Sequence, residues 1–134
     1  MEYRKLDELK VTCIAGAEDF AFFGITLDDI LDRTEGARRF LQKVKTLAGQ
    51  SQGVEWTNIA YTLQISMLSN QQVAFTFSEM IPDYIASLRH SLMLADIQTK
   101  EPLEEFIQTL EKAPEDRARQ LVARFERNVR ETKE

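Results

Sequence analysis

The chain has 134 residues, a formal charge of −5 and a pI near 5.0, enough for one core or for a small domain with an appendage. The acidic balance argues against nucleic-acid binding through bulk electrostatics, which needs a basic surface. The single cysteine, Cys13, rules out an internal disulfide and fits a reducing cytoplasm, and no apolar run approaches the roughly 20 residues that span a bilayer.

The first ten residues, MEYRKLDELK, carry charge throughout and lack the apolar core of a secretory signal. Met1 to Leu6 reads as a weak strand. Leu9 to Ile14 reads as a better one, because Leu9, Val11 and Cys13 alternate with Lys10 and Thr12. Short helices are predicted at about Ala17–Phe23 and Thr26–Asp32. Gly24 suits the left-handed end of the first. Thr26 with Asp29 forms a capping box for the second, and Ile25 with Ile30 has the spacing of a hydrophobic staple. Around this turn stand Glu18, Asp19, Asp28, Asp29, Asp32 and Glu35, with Arg33 the one cation among them.

A longer helix is predicted from Glu35 to Ala48, capped by Thr34 and stopped by Gly49. Ala37, Phe40, Leu41, Val44, Leu47 and Ala48 form its apolar stripe. A polar loop over 50–57 follows. Ile59, Tyr61, Leu63, Ile65 and Met67 then alternate with polar or small residues, as do Val73, Phe75 and Phe77. Ser69, Asn70 and Gln71 lie between the two runs, which gives a hairpin. The order β-β-α-α-α-β-β specifies an α+β fold, a four-stranded antiparallel sheet covered on one face by helices.

From Ile81 the period becomes helical. Three amphipathic helices are expected, with Pro82 in the first turn of one, Pro102 opening the next and Pro114 opening the last. They form a C-terminal helical extension over 81–134, distinct from an N-terminal α+β domain over 1–80. Their apolar faces can fold on the sheet, form a hairpin or pair with a second chain in a homodimer.

No residue set specifies catalysis, and no cofactor or metal is expected. His90 stands alone, without the companions that nucleophilic or metal chemistry needs. Asp28 and Asp32, at i and i+4, share a face but lack a glycine-bearing calcium loop, so they read as a solvated acidic surface that can dock a partner. Phe20, Phe22 and Phe23 cannot all face one core stripe, so one ring is expected at a surface or groove rim. Trp56 either pins its loop to the core or anchors an interface. The arginines of the last helix, Arg117 to Arg130, are balanced by acids and read as a salt-bridged solvent face.

The N-terminal part resembles the N-terminal domain of the MecA family of adaptor proteins, the negative regulators of genetic competence. The resemblance rests on the order Met1–Leu6, Leu9–Thr12, Glu18-Asp19-Phe20, Gly24 to Leu31, Arg39-Phe40-Leu41 and the strands Tyr61–Met67 and Val73–Ser78, over about residues 1–80. It implies a domain that captures a client protein. In that family a separate α/β domain binds a Clp-type AAA+ unfoldase, and here helices stand after residue 81 instead. The expected function is therefore a non-enzymatic, cytoplasmic adaptor. Its partner-binding residues are expected to be Glu18, Asp19, Phe23, Asp28, Asp29 and Asp32, and a Clp-type unfoldase is a further implied partner. The alternative is a structural or dimerisation module acting through the C-terminal helices.

Overall fold

The computed structural model describes residues 1–57 and 60–133, with side chains described for these except at 70 and 128–133. The elements in order are β1 (Glu2–Asp7), β2 (Lys10–Ala15), α1 (Ala17–Phe23), α2 (Leu27–Leu31), α3 (Glu35–Gln52), β3 (Thr62–Met67), β4 (Val73–Ser78), α4 (Ile81–Leu94), α5 (Ile97–Lys112) and α6 (Glu115–Lys133). The predicted α+β class and the β-β-α-α-α-β-β order are those observed. Two compact units result: Met1–Trp56 with Leu63–Ser78, and Thr57–Thr62 with Glu79–Glu134.

The first unit holds a four-stranded antiparallel sheet in the order β1-β2-β4-β3. Its register follows side-chain alternation. Val11 faces Phe77 and Cys13 faces Phe75 across β2 and β4, so the apolar residues of both strands fall on one side. That side meets Ile30 of α2 and Ala37, Phe40, Val44 and Ala48 of α3, all buried. The opposite face carries Thr12 beside Thr76, whose hydroxyls lie 2.9 Å apart. Phe75 and Phe77 are both fully buried, and truncating either to alanine would cost about 3–5 kcal/mol.

Two boundaries differ from the sequence reading. The third helix runs past Ala48 to Gln52 and ends at Gly53 in the left-handed region. Gly49 does not stop it, because that position is buried against Trp56 and the tertiary contact outweighs the weak helix propensity of glycine. The strand expected from Ile59 begins at Thr62, and Ile59 itself lies outside the described residues.

In the second unit the three expected helices pack on one another. Tyr84, Leu110, Ala118 and Val122 form their core, and Phe106 stacks on Phe125 with centroids 4.6 Å apart. The Tyr84 hydroxyl donates to Glu126 at 2.7 Å, and Arg89 pairs with Glu111. Pro102 does not open α5 but lies inside it. The helix starts earlier because Asp96 caps it, accepting from the Thr99 N–H at 2.9 Å and the Thr99 hydroxyl at 2.7 Å. The same bonds hold the Asp96 carboxyl below its usual pKa. Of the expected salt-bridged solvent face of α6, Arg119 does pair with Glu115 at 3.2 Å, but its side chain is largely covered rather than solvent-facing.

Candidate functional site

The acidic corner is built by backbone chemistry before any partner is considered. At the end of α1, Gly24 adopts φ 66° and ψ 32°, and the Ile25 N–H donates to the Phe20 carbonyl at 3.1 Å. This six-to-one bond closes a Schellman turn, which only a residue at ease with positive φ makes without strain. Two residues on, the Asp29 N–H donates to Thr26 Oγ1 at 3.1 Å and the Thr26 N–H donates to Asp29 Oδ2 at 2.9 Å. The capping box expected from the sequence is therefore present. Ile25 and Ile30 both enter the same core, as a staple requires. The corner closes with Arg33 at φ 53° and Thr34 capping α3 through the Ala37 N–H at 3.1 Å.

This geometry sorts the five acids among the sequence-expected residues into two kinds. Asp19 and Asp29 are half-buried and engaged. Asp19 accepts from the Gly16 N–H at 2.9 Å and lies 3.2 Å from the Met1 amino group, while Asp29 closes its capping box. Glu18, Asp28 and Asp32 are exposed and form no ion pair among the described residues. Glu35 is also exposed but is taken up by Arg39 at 2.9 Å. Acids in the first turn also favour the positive end of each helix.

The aromatic cluster separates differently from the sequence expectation. Phe20 packs against Phe40 and Phe75, each with centroids 6.2 Å away. Phe23, chosen from the sequence as the partner-facing ring, is half-buried. It sits 5.1 Å from Phe40, with Lys43 Nζ 5.8 Å from its centroid. The outward ring is Phe22, 83% exposed, and Leu31 of α2 is 63% exposed. Phe22 was identifiable from spacing: Phe20 and Phe23 stand at i and i+3 on one helical face, and Phe22 falls off it. The five residues of α2 are too few for periodicity to single out Leu31. Beside the start of α1 lies an open depression of about 530 Å³ lined by Met1, Glu2, Ile14, Glu18, Asp19 and Gln72.

The other residues weighed in the sequence fall outside this corner. Cys13 is fully buried, and burial pushes its thiol up to about 12. His90 is exposed on α4. Trp56 pins its loop to α3, donating its indole N–H to the Lys45 carbonyl at 2.8 Å. Among the described residues, no group of three or more histidine, cysteine or acidic side chains could hold a metal ion, and no helix is long and apolar enough to cross a membrane.

A family model described as negative regulator of genetic competence, MecA, matches residues 1–134. The chain belongs to the MecA family. Membership supports a regulatory adaptor role in competence, in a family of adaptors rather than known enzymes. The match takes in α4–α6 as well as the sheet unit, whereas the sequence resemblance ended near residue 80. Amphipathic helices fix few positions by local chemistry, so their sequences carry little family signature. No curated protein and no solved structure matches the chain.

Proposed function

We propose that this MecA-family chain is a non-enzymatic cytoplasmic adaptor that captures a client protein at the corner between α1 and α3. Residues 1–80 act as the recognition module and 81–134 as a helical extension. The observation carrying this reading is the exposed carboxylates of Glu18, Asp28 and Asp32, without an ion pair among the described residues, on a corner that also exposes Phe22 and Leu31. Such acids attract a basic partner and accelerate its encounter, and desolvated apolar anchors supply affinity. Asp19 and Asp29 hold the turn in shape, and Phe23 supports the Phe22 ring at 5.1 Å. The captured client is then handed to a Clp-type AAA+ unfoldase, the step that the family resemblance implies.

The test is recovery of clients from native lysate by the full chain, compared with a chain carrying Asp28→Lys and Asp32→Lys. Capture is expected to weaken in the charge-reversed chain and to fall as salt rises. Equal, salt-insensitive recovery by both chains overturns the reading. A Clp-type ATPase recovered with the client supports the delivery step.

A second reading, a structural or dimerisation module acting through the C-terminal helices, is favoured by one observation. Met93, Leu94 and Ile97, around the α4–α5 junction, are 80%, 78% and 91% exposed. Replacing Leu94 by lysine leaves the oligomeric state unchanged if that reading is wrong.

A further inference from the structure

The sheet has two edges, and they are built differently. An edge strand presents unpaired N–H and C=O groups, which invite another strand unless charge, proline or irregularity blunts them. β1 is blunted. It carries Glu2, Arg4, Lys5 and Asp7, and its register shifts between Lys5 and Asp7. β3 lies at the other edge, and its sequence TLQISM contains no charge and no proline. Leu63 and Ile65 pack against the core yet are only half-buried, and Met67, on the same face by alternation, is 63% exposed. Gln64 and Ser66 on the opposite face are exposed.

We propose that β3 is a homotypic docking edge, pairing antiparallel with β3 of a second copy about Ile65. The strand is complementary to itself in that register. Leu63 stands opposite Met67 of the second copy, Ile65 opposite Ile65, and Gln64 opposite Ser66. Apolar residues therefore meet apolar residues on one face, and polar residues meet on the other. The two sheets become one of eight strands, and a neighbour covers the exposed Met67. A chain of charge −5 repels its copy, and an uncharged strand is where two such molecules meet with least cost. Two-fold symmetry, the commonest in homo-oligomers, is the symmetry that antiparallel self-pairing generates. A single six-residue seam is small beside the roughly 1,200–2,000 Å² of a stable interface, so the dimer is weak and concentration-dependent.

The test is sedimentation velocity of the full chain from about 10 μM to about 1 mM, the range in which a weak dimer forms. The wild-type chain is expected to dimerise. A chain carrying Gln64→Lys and Ser66→Lys places like charges opposite each other and should dissociate roughly tenfold more readily. Mixing it with a chain carrying Gln64→Glu and Ser66→Glu should restore a heterodimer, because each introduced lysine then faces an introduced glutamate. Amide exchange along β3 of the wild-type chain should slow as concentration rises, a readout that needs no variant to fold. A wild-type chain that stays monomeric throughout overturns the proposal, as does a dimer indifferent to the lysines. A dimer lost with Leu94→Lys but kept with the β3 lysines overturns it in favour of the helices. β3 is distinct from the acidic corner, so these outcomes do not depend on client capture.

Discussion

Trp56 lies against Gly49 so closely that a Cβ on the glycine would stand 2.5 Å from Nε1 of the indole and 2.9 Å from the Val54 carbonyl oxygen. Lys45 completes the arrangement, its carbonyl accepting from the indole N–H and its Nζ lying 4.8 Å from the ring centroid. Inside an exposed helix, glycine-to-alanine stabilises by about 1 kcal/mol. Here the sign reverses. Gly49→Ala is expected to lower stability by about 1–3 kcal/mol, since neither a pinned indole nor a backbone carbonyl can give way freely. Urea unfolding followed by tryptophan fluorescence measures it, and a gain in stability would contradict this account of the Trp56 contact.

Adjacent aspartates on α2 should behave differently. Asp29→Ala removes the acceptor for the Thr26 N–H and is expected to cost about 1 kcal/mol. Asp28→Ala removes only an exposed carboxylate and should change stability by less than about 0.5 kcal/mol. Chemical denaturation of the two variants under one buffer decides it. Equal losses would mean that the capping box is not what stabilises the turn.

Arg33 occupies a backbone conformation, φ 53°, that favours glycine. An L side chain there costs roughly 1–2 kcal/mol, partly offset because glycine is freer in the unfolded chain. Arg33→Gly is therefore expected to stabilise by about 0.5–1 kcal/mol. It also removes the cation next to Asp32 in the sequence, so capture of a basic client should strengthen in the same variant. A drop in melting temperature would show that the arginine side chain has a structural role.

The buried Cys13 thiol gives an alkaline signature. Burial raises its folded-state value to about 12 from an ordinary 9.0. The folded chain keeps the proton that the unfolded chain releases, so the contribution is complete below 9.0 and lost as pH climbs toward about 12. Stability should fall by at most about 1.4 kcal/mol per pH unit from this group in that window. Cys13→Ala should flatten the slope while lowering stability at neutral pH. Thiol-reagent labelling should be slow in the folded chain and rapid in urea, and fast labelling without denaturant would refute the burial.

Much of the corner was readable because its signals are short-range. A capping box needs two side chains three residues apart, and a Schellman turn needs one residue tolerant of positive φ. Thr26, Asp29 and Gly24 announce both. Strand alternation announced the core faces of β2 and β4 in the same way. Pro102 misled because proline favours a first turn, yet Asp96 with Thr99 had already started the helix. Gly49 misled because its neighbour Trp56 lies beyond the end of the helix and meets it only after the loop folds back.

By itself, the sequence determined the α+β class, the element order and the acidic turn, each encoded by residues within a few positions of one another. Tertiary structure alone decided that the Met1 amino group reaches Asp19 and that Phe23 packs against Phe40. It also placed β3, rather than one of the paired central strands, at an edge of the sheet. These outcomes depend on contacts between segments far apart in the chain, where burial and backbone pairing outweigh the local preference of any one residue.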